Sequence, residues 1–224
     1  MKRQPWLARN AGLFVALGLP FIFDMLLGKR PEDMAIPSKV FLAIVEEWFL
    51  VAVLLIIVVF WERRPIDSIG IRKMTGRDIL WGVIGFLIGA LSFILTMPLV
   101  QGLGLETTSA GIGQLARVPI FLRIAVVFTA GITEEILFRG YPIERLTSMT
   151  GSPVLGAAIS YVVFVVLHLP FWGPGGAIQI GVWSLIVTWL YVRRRNLPAC
   201  MLMHILNDAY AFLLLPIFIP QYLR

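Results

Sequence analysis

Apolar runs long enough to cross a bilayer recur along the whole chain, and they restrict its fold more than any other feature. A helical span rises 1.5 Å per residue and needs about 20 apolar residues to cross the hydrocarbon core. Seven runs qualify: residues 11–27, 40–60, 79–100, 119 into the Glu134 region, 153–169, 176–192 and 197–219. Hydrophobic residues make up 58% of the chain and charged ones 14%, against roughly 45–50% and about 25% in soluble domains. Only short polar segments separate the runs, with no low-complexity linker, no soluble domain and no evident internal repeat. The expected fold is therefore all-α: a polytopic helical membrane protein of about seven transmembrane helices, with residues 1–224 forming one membrane domain.

Charge placement supplies topology. Lys2, Arg3 and Arg9 precede the first run, and Arg63, Arg64, Arg72, Lys73 and Arg77 follow the second. Arg139 and Arg145 follow the fourth, and Arg193, Arg194 and Arg195 the sixth. These alternate segments hold most of the 19 basic residues; only Lys29, Arg30, Lys39, Arg117, Arg123 and Arg224 fall on the other side. The positive-inside rule then predicts a multi-pass protein of the cell membrane with a cytoplasmic N-terminus and an external C-terminus. The net charge of +6 reflects topology, and no nucleic-acid partner is implied. The opening MKRQPW and the apolar stretch after it resemble a signal peptide but lack a small-residue cleavage site before Lys29, so a retained first helix is expected. The single cysteine, Cys200, excludes an internal disulfide and a thiolate metal site, and reads as a small buried hydrophobe.

Against this apolar background, a few ionisable groups stand out. An ionisable side chain at bilayer depth costs several kcal/mol unless it pairs or faces a wet cavity. Both histidines of the chain, His168 and His204, lie deep in apolar runs, as do the adjacent Glu134 and Glu135, and Asp208 follows His204 by four residues. On a helix Glu135 and Arg139 share a face, so the arginine can hold that carboxylate. Glu134 points about 100° away and is free to accept a proton. The plainer alternative is an ion pair at a helix end. Phe164 and His168 likewise share a face, and a lone histidine there could serve only as a helix-end dipole partner. The His204–Asp208 spacing lets the carboxylate fix the imidazole tautomer, or the pair could simply join helices. Glu46, Glu47 and Asp24 lie in the first two runs without a histidine companion; they read as structural or interfacial groups, or as the lining of a substrate path.

Register brings these groups together. The Thr150-Gly151-Ser152-Pro153 segment is a natural break. If the helix bearing Glu134 runs on to about Ser148, Glu134 and His168 lie at matching distances of roughly 21–23 Å from that turn. His204 and Asp208 lie about 12–18 Å in from the basic run at Arg193–Arg195. A shared polar cavity below the cytoplasmic surface, opening to the cytoplasm and sideways to lipid, is expected, with Asp208 orienting His204 and Asn207 turned about 100° away.

The motifs Glu134-Glu135-x-x-x-Arg139, Phe164-x-x-x-His168 and His204-x-x-x-Asp208 resemble, in order and spacing, the CAAX protease and bacteriocin-processing (Abi) family, which includes the type II CAAX prenyl endopeptidases. The motif-bearing core covers about residues 119–211. The resemblance implies a helical intramembrane endopeptidase in which Glu134 and His168 activate water. It further implies that His204 and Asp208 steady the oxyanion while Glu135, Arg139 and Phe164 support the site. Asp208 stands where the prenyl endopeptidases commonly carry asparagine, which leaves His204 as the oxyanion donor.

Three functions remain open at this point. The first is metal-free hydrolysis of a membrane-associated protein or peptide, possibly lipidated, without a cofactor. A second places Zn²⁺ among Glu134, His168 and His204, a legitimate catalytic ligand set. The third is a non-catalytic immunity or scaffold protein of the membrane. A proton-relaying transporter would use similar groups, but the chain lacks the inverted repeat of such folds.

Overall fold

The computed structural model describes residues 5–27 and 34–219. Lys2, Arg3, Lys29, Arg30 and Arg224 lie outside the described residues, as does the Asp24 side chain. The described residues form seven helices and no strand. They are α1 (residues 5–27), α2 (Ile36–Trp61), α3 (Gly76–Gly102), the short α4 (Ser109–Ala116), α5 (residues 120–150), α6 (Pro153–Arg194) and α7 (Leu197–Phe218). Local chemistry sets their ends. Thr75 and Asp78 form a reciprocal capping box at the start of α3. Ser152 and Asn196 cap α6 and α7 through Leu155 N and Ala199 N, each at 3.2 Å. Pro153 and Pro198 occupy first turns, where a missing N–H costs nothing. Gly151, at φ 74°, ends α5 and turns the chain into α6.

The chain is an all-α polytopic membrane protein. Helices α1, α2, α3, α6 and α7 are long and apolar enough to cross a bilayer, and their outer faces are apolar rather than polar. On α3, for example, Leu87, Leu91, Ile94 and Leu95 are all exposed, a pattern that suits lipid and not water. Three of the seven expected runs take a different form. The fifth and sixth belong to one 42-residue stretch, α6, bent at Gly173 between Pro170 and Pro174. Gly173 has φ 67° and ψ 176°, a conformation open to glycine and hostile to residues with a Cβ. The fourth run ends its regular helix at Glu135 after 16 residues, passes through a π turn at Ile136–Gly140 and continues as Tyr141–Thr150.

The end of the bundle that carries the basic residues is bound by ion pairs, of which Arg145–Glu62 is the buried one. Arg145 reaches Glu62 at 2.6 Å, and Tyr141 donates to the same carboxylate at 2.8 Å. Arg194 holds Asp78 at 2.7 Å and Arg195 holds Glu144 at 2.5 Å. Inward of these pairs lies a dry core built from Leu54, Val58, Ile143, Val187, Leu190 and Tyr191, each 1% exposed or less. This packing seals one end of the molecule and leaves polar groups at bilayer depth to gather elsewhere.

Candidate active site

Three helices bring the stranded groups together. Glycine at position 131 lets α5 approach α7: a Cβ there would lie 2.4 Å from the Ile205 side chain and 3.1 Å from its backbone nitrogen. That approach places Glu134 and Glu135 against His204, and the hairpin turn at Gly151 returns α6 so that His168 comes level with them. His168 Nε2 lies 4.0 Å from Glu134 Oε2, and His204 Nε2 lies 3.8 Å from the same oxygen. Glu134 thus faces both imidazoles. It remains 17% exposed, as does His168, in a cavity of about 850 Å³.

Each imidazole is held through its other nitrogen. His168 Nδ1 is 2.7 Å from the carbonyl oxygen of Phe164, one turn back on α6. A carbonyl only accepts, so Nδ1 carries the proton and Nε2 faces Glu134. The Phe164 ring packs against His168 with centroids 4.2 Å apart, and the Arg139 guanidinium lies 4.0 Å over that ring. His204 Nδ1 is 2.9 Å from Glu135 Oε1, and Arg139 Nη1 donates to that same oxygen at 2.9 Å. Arg139 Nη2 in turn donates to Ser184 Oγ at 2.8 Å. Glu135 is wholly buried and Arg139 1% exposed, so this pair is a rigid tether and not a solvated one. The π turn that follows Glu135 widens the helix where this tether is anchored.

Two details differ from the spacing argument. The carboxylate that fixes His204 is Glu135, from another helix. Asp208 approaches His204 only through Nε2, at 3.5 Å, because the Nδ1 edge is already turned toward α5. Asn207 also lines the cavity, with its amide donating to Asp208 Oδ1 at 3.3 Å, rather than pointing away. Glu47 is the site residue whose role the sequence left open. It lines the cavity, and Thr133, next to Glu134, donates to its carboxylate at 2.5 Å. Trp48 adds a parallel tie, its indole N–H donating to Thr129 at 3.0 Å. Its neighbour Glu46 lines the cavity too. The one available signal was the acidic pair at bilayer depth, since nothing local links residue 47 to residue 133. Among the described residues, no group of three or more His, Cys, Asp or Glu is arranged to hold a metal ion. The 3.8 and 4.0 Å separations exceed the roughly 3.3 Å spacing of tetrahedral donors placed about 2.0–2.1 Å from zinc.

The cavity runs from this cluster toward the end of the bundle that lacks the ion pairs. Its floor is apolar, formed by Leu50, Leu137, Phe138, Ile180 and Trp183, and its far rim includes Lys39, Met97, Ser109 and Gln114. No cavity-lining residue comes from the basic end. The expected opening below the basic, cytoplasmic surface is therefore not where the described helices leave space: the dry core fills that end.

The arrangement combines a carboxylate and two oriented imidazoles in a largely apolar cavity at bilayer depth. No curated protein and no solved structure matches the chain. Residues 116–210, which span Glu134 through Asp208, match the family described as type II CAAX prenyl endopeptidase Rce1-like. Through this segment the chain is similar to the CAAX protease and bacteriocin-processing family of membrane proteins.

Proposed function

We propose that the protein is an intramembrane endopeptidase that hydrolyses a peptide bond of a membrane-associated protein or peptide, without a metal ion, by glutamate and histidine activation of water. The observation that carries this reading is Glu134 facing both imidazoles, at 4.0 and 3.8 Å, in one cavity. Such a gap suits a water hydrogen-bonded to Glu134 and His168 together. Glu134 takes a proton from that water while the oxygen attacks the scissile carbonyl. His204, with its Nδ1–H held by Glu135 and its other nitrogen also protonated beside Asp208, presents Nε2–H to the oxyanion that forms, and the Asn207 amide lies beside it. The C–N bond then breaks, and the proton held by Glu134 passes to the departing amine. Arg139, Phe164 and Ser184 act at one remove by fixing Glu135 and the rings. Glu47 stands close enough, through Thr133, to influence where Glu134 sits.

The substrate is expected to be membrane-anchored, with or without a lipid, because the site opens among apolar helices. Comparative peptide analysis of cell membranes containing the wild type or Glu134→Gln tests the reading, with and without a strong chelator. A peptide produced only by the wild type, and still produced with chelator, is the expected result. Identical peptide profiles would favour a non-catalytic immunity or scaffold role. Loss of the product in chelator would favour zinc.

A further inference from the structure

We infer that Ser160, a buried hydroxyl outside the mechanism above, is a positioning residue of the glutamate–histidine cluster. By donating to the Phe138 carbonyl it locks the π turn of α5, and so holds the Glu135–Arg139 tether, and Glu134 opposite His168, in working geometry. Its effect on turnover rests on the protease reading above, whereas its hold on α5 does not.

The need for such a hold begins at Pro142. Proline has no backbone N–H, and inside a helix its ring crowds the carbonyl four residues earlier, here that of Phe138. The turn before it opens accordingly. Tyr141 N–H reaches back five residues to the Ile136 carbonyl rather than four to Leu137, which makes the turn a π turn. The Phe138 carbonyl is left without its α-helical donor in a segment where Leu137, Phe138 and Arg139 are at most 6% exposed. A buried carbonyl without a donor is costly. Ser160 of α6, itself 1% exposed, donates its hydroxyl to that carbonyl. A side chain from another helix thus completes the turn that lies between Glu135 and Arg139, the pair that fixes His204.

Register ties the same hydroxyl to the second motif. Gly156, Ser160, Phe164 and His168 recur every four residues and share one face of α6, and each meets α5 at a successive level. A Cβ on Gly156 would lie 3.1 Å from the Ile143 carbonyl oxygen and 3.2 Å from the Thr147 nitrogen. Ser160 takes the Phe138 carbonyl, the Phe164 ring lies 4.0 Å under the Arg139 guanidinium, and His168 Nε2 faces Glu134 at 4.0 Å. Within this row Ser160 bonds directly to the backbone of α5, which resists sliding of α6 along α5 about two turns before His168. Without that bond the π turn is free to tighten toward the α-helical form. Tightening would rotate Arg139 relative to Glu135 and withdraw the support of both imidazoles.

The test separates holding the site from merely satisfying a carbonyl. Ser160→Ala removes the donor. Adding Pro142→Ala returns a backbone N–H to the Phe138 carbonyl and removes the ring that opens the turn. The readouts are melting temperature in detergent, kcat and KM for the peptide found by the membrane comparison above, and the imidazole nitrogen NMR spectrum. Protein purified without a polyhistidine tag shows two imidazoles in that spectrum, His168 and His204. Ser160→Ala should lower the melting temperature, lower kcat by about 10–100-fold with KM near the wild-type value, and move the His204 Nδ1–H resonance. The double variant should regain the melting temperature while kcat and the resonance stay altered. A wild-type kcat or an unmoved resonance in Ser160→Ala would overturn the proposal. So would a double variant in which both return with the melting temperature, since the hydroxyl would then be structural alone. A wild type without peptidase activity would fail the protease reading, and the His204 resonance would still decide whether Ser160 holds the site.

Discussion

At the basic end of the bundle, three arginines are matched with carboxylates: Arg145 with Glu62, Arg194 with Asp78, Arg195 with Glu144. At mid-depth, one carboxylate is tethered and the next is not. Glu135 is fixed by Arg139 and His204, while Glu134 has only the two imidazole edges 3.8–4.0 Å away. The two regions use the same chemistry for opposite ends. Pairing charges tightly joins helices and removes water. Leaving one carboxylate short of a partner, within a cavity whose walls are braced by paired ones, keeps a reactive group where a substrate can reach it. Rigidity at the packed end helps to position the site.

Substitutions can break this contrast in graded steps. His168→Ala removes one of the two groups that face the attacking water, and the rate of peptide cleavage should fall by about 10²–10⁴-fold with the melting temperature in detergent unchanged. A variant that retained turnover would move the water elsewhere in the cavity. Arg139→Met leaves Glu135 buried with one partner gone, at a cost of about 3–5 kcal/mol read as lowered thermal stability. Adding Glu135→Gln should recover part of that loss, since the uncompensated charge is then removed as well. Glu62→Gln loosens the Arg145 and Tyr141 contacts at the sealed end and should cost about 1–3 kcal/mol, leaving turnover per folded molecule near the wild-type level. If activity fell in step with stability, the sealed end would be part of the site and the contrast would dissolve. The smallest effect belongs to Glu47→Gln. The amide oxygen can still accept from Thr133, so stability should hold and kcat/KM should fall by roughly tenfold or less.

How much of this was legible in the sequence differs between the two regions. The helical class followed from run length alone. Glu134, His168 and His204 were visible because ionisable groups at bilayer depth are conspicuous and because the turn at Gly151 fixes the register of α5 against α6. Arg139 pairing with Glu135 is a local i,i+4 contact, and spacing suffices for that. The same local rule predicts Asp208 beside His204, and the two lie 3.5 Å apart at Nε2, but it does not supply the partner of the other nitrogen. Glu135 reaches the Nδ1 edge from a different helix once Gly131 lets α5 and α7 close, and no spacing within residues 204–208 encodes that approach. Glu47 was out of reach for the same reason, its tie to Thr133 spanning α2 and α5.

The most direct test of the account is the turnover of a membrane-anchored peptide by purified, reconstituted Glu134→Gln protein, measured against the wild type with a strong chelator present. The amide keeps the shape of the side chain and loses its capacity to take a proton from water, so cleavage should drop by at least about 100-fold while helical content and thermal stability stay level. Equal turnover by the two proteins would contradict the claim that Glu134 activates water in this site.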